Sequence, residues 1–331
     1  MSIVLAQAMR NNHVENLYRG DVVVVNTDRE IMMFLGDPHK LTYWRSAAKP
    51  FQVLPFLEAG GLERYGITDK ELALMTASHG GEPDHVVTAA NLLAKIGFSE
   101  NALRCGSAPP MHQLSMRNLL ESNKPWTPLH NCCSGKHGAM LALAAMKGYD
   151  PACYDDLAHP AQQEILSVIA EITRMDTETI GIGIDGCGVP IYYLPISRMA
   201  QAYALLATPD KHPDQKRREA LRKIADVMTR NPWFVAGTGR LDTILMEVTE
   251  GKLLAKLGAD GVYCVSVMGT GVGIALKIES GDVRVIHPVI VELLTQLALI
   301  NDNEKFQLES LLDSSIYNHR QEIIGRFETV F

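Results

Sequence analysis

Short strand-like segments lie near both ends of this chain, and they limit the folds that it can adopt. Residues 21–26 (DVVVVN) and 30–35 (EIMMFL) are β-branched or apolar runs separated by a polar turn. Such a pair predicts an antiparallel hairpin. Three similar runs, separated by glycines, come late in the chain, at Val262–Val267, Val272–Ile278 and residues 283–286. We expect all of these strands to share one sheet.

The long region between these strands has a helical pattern. Thr68 and Glu71 have the spacing of a capping box, in which a hydroxyl and a carboxylate each bind a free backbone amide at a helix start. Predicted helices cover residues 68–75, 83–96, 134–147, 159–173 and 215–229. Gly97 and Gly148 follow two of them, as is common at helix ends. Strands at the ends and helices between them predict an α+β fold, an antiparallel sheet with segregated helices.

The chain has no segment that would separate it into independent domains. It contains 331 residues, of which 47% are hydrophobic, enough for a large core without disulfide bonds. No low-complexity stretch, charge run or internal repeat interrupts it. We therefore expect one domain over residues 1–331. Two closely packed lobes within that domain are compatible with the same observations.

Charge and composition exclude several classes of partner. The net charge is −7, and no basic stripe with interleaved aromatic residues is present, so nucleic acid is not an expected partner. Residues 1–12 lack a sustained apolar stretch, and later apolar runs are too short to span a bilayer. We expect a cytoplasmic protein without a membrane partner. Its six cysteines are then reduced thiols, some of which are free to bind metal.

Ser46 and Lys49 form the first possible catalytic pair. In a helix, residues three apart share a face, so the lysine amine would lie beside the hydroxyl. A serine hydroxyl is a poor nucleophile until a base takes its proton, and a desolvated lysine can be that base. The spacing is common by chance, and taken alone it is better explained by an ordinary helix start.

A second serine lies in a glycine-rich segment, residues 76–83 (TASHGGEP). Ser78 and His79 precede two glycines, where backbone amides approach a substrate closely. The same residues also suit a simple connection in which both side chains bind nearby backbone. The segment becomes informative only if it lies beside Ser46.

Two further segments contain possible metal ligands. In residues 131–138 (NCCSGKHG), Cys133 lies three residues before Lys136 and four before His137, and the glycine spacing of a phosphate-binding loop is missing. In residues 181–190 (GIGIDGCGVP), Asp185 is suited to hold an amino group, and Cys187 could meet Cys133 around zinc. Either thiol is also compatible with an ordinary small buried side chain.

The last informative region pairs a polar loop, residues 235–243 (VAGTGRLDT), with an isolated lysine, Lys256. This lysine would either lower the pKa of a serine or orient a carboxylate. A solvated surface lysine is the alternative.

Taken in order, six segments between Arg45 and Tyr263 resemble the asparaginase II family, the Rhizobium-type class 3 L-asparaginases. They read RSAAKPFQ, ASHGGEP, NCCSGKHGAM, GIDGCGVP, GTGRLDT and KLGADGVY. The resemblance implies a fold similar to serine β-lactamases and glutaminases, hydrolysis of L-asparagine to L-aspartate and ammonia, and a homodimer.

The resemblance also implies roles for individual residues. Ser46 is the expected nucleophile and Lys49 its base, and Ser78 and Lys256 form a second serine–lysine pair beside them. Arg45 and Asp185 are expected to contact the substrate. Since neighbouring hydroxyls relay protons, the membership of this cluster is better defined than the identity of the attacking serine.

Zinc is the cofactor that the resemblance implies, with Cys133, Lys136 and Cys187 as its protein ligands. An amine must lose its proton before it can coordinate a metal, so the lysine is unusual. Spacing alone favours His137, a far commoner ligand, which we keep as an alternative.

Two other functions are compatible with the same motifs. A penicillin-binding or β-lactamase-like acyl-transfer protein shares the Ser-x-x-Lys element. A non-catalytic amino-acid sensor would use zinc only as a structural ion.

Overall fold

The computed structural model describes residues 1–331, and the chain forms both strands and helices. The strands are β1 (Ile3–Arg10), β2 (His13–Val25), β3 (Ile31–Leu35), β4 (Leu41–Tyr43), β5 (Gly181–Ile184), β6 (Pro190–Pro195), β7 (Leu253–Gly258), β8 (Val262–Val267), β9 (Val272–Ile278), β10 (Ser315–Tyr317) and β11 (Ile323–Thr329). The helices are α1 (Lys49–Gln52), α2 (Leu54–Glu58), α3 (Gly61–Tyr65), α4 (Asp69–Met75), α5 (Pro83–Lys95), α6 (Gln113–Glu121), α7 (Ser134–Lys147), α8 (Pro160–Thr173), α9 (Ile196–Ala207), α10 (Gln215–Arg230), α11 (Pro232–Val235), α12 (Leu241–Val248), α13 (Ile286–Gln296) and α14 (Asp302–Leu311).

The chain divides into two compact units, and the first is built on a large sheet. This unit combines Met1–Ala47, Leu194–Thr208 and Ile244–Phe331. Its eight-stranded sheet has the order β10-β11-β1-β2-β9-β8-β7, with β3 also paired to β2. The pairs are antiparallel, and the run of four valines in β2 is buried at the centre. Helix α9 packs on this sheet against β9, β8 and β2, which covers the apolar face.

The second unit, Ala48–Tyr193 and Pro209–Thr243, is mainly helical. Helices α4 and α7 lie close together, because Gly135 on α7 has no side chain. A Cβ at this position would lie 2.1 Å from the carbonyl oxygen of Leu74 on α4. The contact fixes the start of α7 beside the segment that follows α4. The hairpin of β5 and β6 belongs to the same unit.

The structure confirms the predicted α+β class and most of the predicted elements. The first hairpin is formed by β2 and β3, and both lie in one sheet with β8 and β9. The capping box of Thr68 and Glu71 begins α4. The other predicted helices are found as α5, α7, α8 and α10, with bounds that differ by at most one residue.

One predicted strand is wrong. Residues 283–286 form a 3₁₀ turn, Val283–Val285, that leads into α13. The Asp282 carboxylate accepts a hydrogen bond from the backbone amide of Arg284 and so caps this turn as a helix start. A short apolar run cannot by itself distinguish a strand from the first turn of a buried helix. None of the helices has the length and apolar character needed to cross a bilayer.

Candidate active site

A buried lysine and a serine meet in the second unit. Lys49 begins α1 and is fully buried, and Ser78, which follows α4, is 7% exposed. The Lys49 Nζ donates to the Ser78 Oγ over 3.1 Å and to the carbonyl oxygen of Ala77. The Ser78 backbone amide donates to the carbonyl oxygen of Val235, which fixes the segment from its other side. The arrangement holds an amine against a hydroxyl away from water.

His79 ties this serine segment to the start of α7. Its Nδ1 accepts a hydrogen bond from the Gly81 amide, and its Nε2 lies 2.8 Å from the Ser134 Oγ. Since Nδ1 is an acceptor, the ring proton lies on Nε2 and is donated to Ser134. Burial, followed by the neighbouring His85, lowers the pKa of His79 well below its usual range. His79 is therefore a neutral structural link.

Two thiols and a lysine form a second buried cluster in the same unit. Cys133 precedes α7, Lys136 lies in its first turn, and Cys187 lies in the turn between β5 and β6. The Lys136 Nζ donates to the Cys187 Sγ over 3.1 Å. The ligand atoms of Cys133, Asp185 and Cys187 all lie within 4.8 Å of one another. The fold thus brings together the three residues predicted to bind zinc, and it adds a carboxylate.

Charges within this cluster balance one another. Hydrogen bonds from the Cys132 and Cys187 thiols lower the pKa of Cys133 well below its usual range. The Cys187 thiol, which donates to Cys133 and is buried, has a raised pKa. Burial opposes the charged form of Lys136, but the neighbouring Cys187, Cys133 and Asp185 side chains outweigh it and raise the pKa of Lys136. The surroundings therefore favour the protonated form of Lys136 and the deprotonated form of Cys133.

Asp185 lies with the thiols. Its carboxylate lies 3.4 Å from the Cys187 Sγ and 3.8 Å from the Lys136 Nζ. The turn between β5 and β6 fixes it, since the Gly188 amide donates to the Asp185 carbonyl. A carboxylate in this position can bind a metal or the amino group of a substrate.

The remaining predicted residues belong to the first unit. Ser46 is half-buried on the 3₁₀ turn Arg45–Ala48. The Arg45 guanidinium forms an ion pair with Asp260. Lys256 on β7 is fully buried and donates to the carbonyl oxygen of Leu257 over 2.9 Å. The pairing of Ser46 with Lys49, and that of Ser78 with Lys256, stay predictions.

The sequence model of the family described as L-asparaginase II matches residues 6–329, nearly the whole chain. The chain belongs to the asparaginase II family. It is therefore an asparaginase-like hydrolase, as the six motif segments predicted. No curated protein matches the chain.

Several solved structures are similar to this asparaginase II family member. One is Mglu, with 15% identity and a TM-score of 0.48, where the match covers 85% of this chain and 67% of that chain. Mglu in its native form in 4.3 M NaCl matches with 14% identity and a TM-score of 0.49, covering 86% and 63%. A putative β-lactamase from Bacteroides dorei DSM 17855 matches with 13% identity and a TM-score of 0.44, covering 84% and 93%. The family assignment rests on the sequence match.

His137, the alternative metal ligand, lies outside the thiol cluster of this family member. Its Nδ1 lies 2.7 Å from the Tyr154 hydroxyl, and its buried Nε2 has no hydrogen-bond partner. Burial, followed by the charge of Lys136, lowers the pKa of His137 to about 3. Its neutral ring packs edge-on against Tyr154.

Sequence reasoning missed Glu82, which connects two of the motif segments. Its carboxylate accepts hydrogen bonds from the Thr238 amide, over 2.8 Å, and from the Thr238 hydroxyl, over 2.7 Å. Glu82 is nearly buried, as expected for a carboxylate with two such donors. The signal was an acidic residue directly before Pro83, within a motif already noticed for its glycines. The loop at Thr238 is thereby fixed beside the segment that contains Ser78.

Proposed function

We propose that this protein is an L-asparaginase, which hydrolyses the side-chain amide of L-asparagine through a serine ester. The observation that carries the proposal is the hydrogen bond between the buried Lys49 amine and the Ser78 hydroxyl. A hydroxyl beside a desolvated amine is one form of activated nucleophile. Membership of the asparaginase II family supports the substrate class.

The proposed reaction has two stages. The serine oxygen attacks the amide carbon while the lysine amine takes the hydroxyl proton. The lysine then gives this proton to the departing nitrogen, which leaves as ammonia. Water next attacks the β-aspartyl ester, and its proton passes through the same amine to the serine oxygen, releasing aspartate. The Gly81 amide already donates to His79, so within this turn the backbone amide of Gly80 is the donor suited to stabilise the oxyanion. In other acyl-transfer sites such a donor contributes about 3 kcal/mol.

Two hydroxyls remain candidates for the attacking group. Ser46, which lies three residues before Lys49, is the nucleophile that the family resemblance implies. Ser78 is the hydroxyl that receives a hydrogen bond from Lys49. We propose that Ser46 attacks and that Ser78 relays its proton to the lysine network, with Lys256 completing the second pair.

Serine variants test this assignment through ammonia release from L-asparagine. Ser46→Ala should lower kcat by at least about 10³-fold, since without the hydroxyl no ester can form. Ser78→Ala should lower it less, about 10²-fold, because only a proton path is lost. Ser310→Ala, an exposed helix position, is the control. Full turnover in Ser46→Ala would remove that residue from the mechanism.

The same assays separate the rival functions. Glutamine as a second substrate measures the preference for the shorter side chain, and hydrolysis of a chromogenic cephalosporin would indicate a β-lactamase-like enzyme. If asparagine raises the melting temperature but no ammonia appears, the protein is a sensor and the asparaginase proposal is wrong.

We also propose that Cys133, Lys136 and Cys187 hold one zinc ion, with Asp185 beside them. The donor set fits, since two thiols and a carboxylate lie within mutual reach in a buried cluster, and the Cys133 pKa is already lowered. Bound zinc would supply a fixed positive charge that orders substrate-binding groups. Lys136 would have to release its proton on metal binding, so the affinity for zinc should increase with pH.

Homodimer formation and a cytoplasmic location stay predictions.

A further inference from the structure

A cavity of about 510 Å³ lies in the second unit, close to the segment that contains Ser78. Gly80 forms part of its wall, and two residues of chain span at most about 7 Å, so the cavity lies near Ser78. The loop before α6, the start of that helix and the turn of residues 237–240 form the other walls. Its volume falls within the range of small-molecule sites, about 300–1,000 Å³.

Hydrogen bonds fix these walls in place. The His112 amide donates to the Gly80 carbonyl over 2.9 Å. In the turn of residues 237–240, the Arg240 amide donates to the Gly237 carbonyl and closes the turn. The Glu82 carboxylate holds Thr238 within that turn. The cavity is therefore a defined part of the fold and not a gap between loose loops.

The charge of the cavity is positive. Arg117 and Arg240 both line it, and no carboxylate does. Neither guanidinium has an acidic partner, and the one side-chain hydrogen bond of Arg240 runs from Nη1 to the Met111 sulfur over 3.7 Å. Sulfur is a weak acceptor, so most of the N–H donors of Arg240 remain available. Glu82, the neighbouring acid, already accepts two hydrogen bonds from Thr238.

This positive cavity stands out in a chain of net charge −7. A guanidinium binds a carboxylate through two parallel hydrogen bonds, which gives direction as well as affinity. Arg45, the arginine that the motifs suggested for substrate binding, is already paired with Asp260. Arg240 is half-buried, where such a pair is stronger, and Arg117 is exposed at the cavity edge.

We propose that Arg240, assisted by Arg117, binds the α-carboxylate of the amino-acid substrate and so selects substrates with a free carboxylate. Met111 and Leu114 supply an apolar wall beside the substrate methylene. This inference rests on the proposed asparaginase function. It assigns a binding site to the α-carboxylate, which lies at the opposite end of asparagine from the amide that is cleaved.

The test compares L-asparagine with its α-methyl ester, which has the same side-chain amide but no carboxylate charge. In the wild type, kcat/KM should favour asparagine. Arg240→Gln should lower this preference about 10- to 100-fold, the range expected for one charged hydrogen-bonded contact, mainly through KM. Arg240→Lys should restore part of it, and Arg117→Gln should lower it less. Arg230→Gln, a surface arginine paired with Asp226, is the control.

A second readout separates this proposal from the proposed function. Calorimetric binding of L-aspartate should weaken in Arg240→Gln, with no catalysis required. If no amide is hydrolysed but aspartate binding depends on Arg240, the carboxylate site stands and the asparaginase proposal fails. If ammonia is released and Arg240→Gln changes neither the preference nor aspartate binding, the carboxylate site is wrong and the asparaginase proposal stands.

Discussion

Three lysines are buried in this protein, and all three belong to the motif segments. Lys49 and Lys256 are fully buried and Lys136 is 2% exposed. A buried ammonium loses its hydration, which is unfavourable unless hydrogen bonds or opposite charges replace it. Lys49 has the Ala77 carbonyl and the Ser78 hydroxyl, and Lys136 has two thiols and a carboxylate. Among single residues, the burial of these three lysine side chains is the clearest physical sign of a functional site in the chain.

The buried His85 should make stability depend on pH. Burial is the largest cause that lowers the pKa of His85, whose ring stacks on Trp233 at 4.0 Å. The unfolded chain then binds a proton near pH 6.5, where the folded protein does not. The buried neutral His85 therefore contributes to stability above about pH 6.5, and this contribution is lost as the pH falls below that value.

His85→Gln should therefore flatten the pH dependence of the unfolding free energy between pH 4 and 7. The slope should decrease by up to about 1.4 kcal/mol per pH unit, the value for one proton. Denaturant unfolding at several pH values measures it, with the exposed His319→Gln as control. An unchanged slope in His85→Gln would show that this histidine is not the source.

Gly237 lies so close to the Glu82 carboxylate that a side chain at this position would clash with it. Its φ is +118°, and a Cβ would lie 2.5 Å from the Glu82 Oε1. Gly60 also has a positive φ, but a Cβ there would meet nothing within 4 Å. Gly237→Ala should thus cost about 1–3 kcal/mol more than Gly60→Ala, since it adds a steric clash to backbone strain. Equal melting temperatures for the two variants would argue against the tight Glu82 contact.

At the scale of elements, the capping box of α4 orders the helix that leads to Ser78. The Thr68 hydroxyl accepts from the Glu71 amide, and the Glu71 carboxylate accepts from the Thr68 amide. Thr68→Ala should lower the unfolding free energy by about 1 kcal/mol. Ser99→Ala, at a cap whose side chain makes no such bond, should change it little. Equal losses in both variants would mean that the capping hydroxyl contributes nothing specific.

Local signals predicted some elements well and others poorly. The valine run of β2, the capping box of α4 and Gly148 after α7 are all readable from neighbouring residues. The apolar run of the 3₁₀ turn Val283–Val285 is too short to show a period, so the strand predicted there is wrong. Helix α6 is not predicted from the sequence, because its residues are polar on average and only Ser115 on it is buried. Missing α6 also concealed the arginine cavity.

Across the whole molecule, motifs far apart in the chain contain the three buried lysines, but they did not predict the contacts of these side chains. The catalytic and metal-binding roles of these residues stay predictions. The observed hydrogen bond joins Lys49 to Ser78, whereas the motifs suggested Lys49 with Ser46. The sequence separation of two residues predicts whether they are neighbours on one helix. Contacts between distant segments depend instead on packing, such as that of Gly135 against Leu74.

The proposed zinc site lies in the second unit and can be tested directly. Purified protein should contain zinc in a roughly one-to-one ratio, and a chelator should lower the melting temperature. Cys133→Ser should lose the zinc, while Cys153→Ser, an exposed cysteine, should retain it. Elemental analysis of both variants measures this. Equal zinc content in the two variants would contradict the proposed ligand set.

The proposed mechanism requires the buried Lys49 amine to activate a serine for hydrolysis of asparagine. The most direct measurement is ammonia release from L-asparagine by the wild type and by Lys49→Met, with Lys147→Met, an exposed lysine, as control. We expect turnover in the wild type and the control, and a kcat/KM about 10²–10⁴-fold lower in folded Lys49→Met. Turnover by Lys49→Met at the wild-type rate would contradict the mechanism.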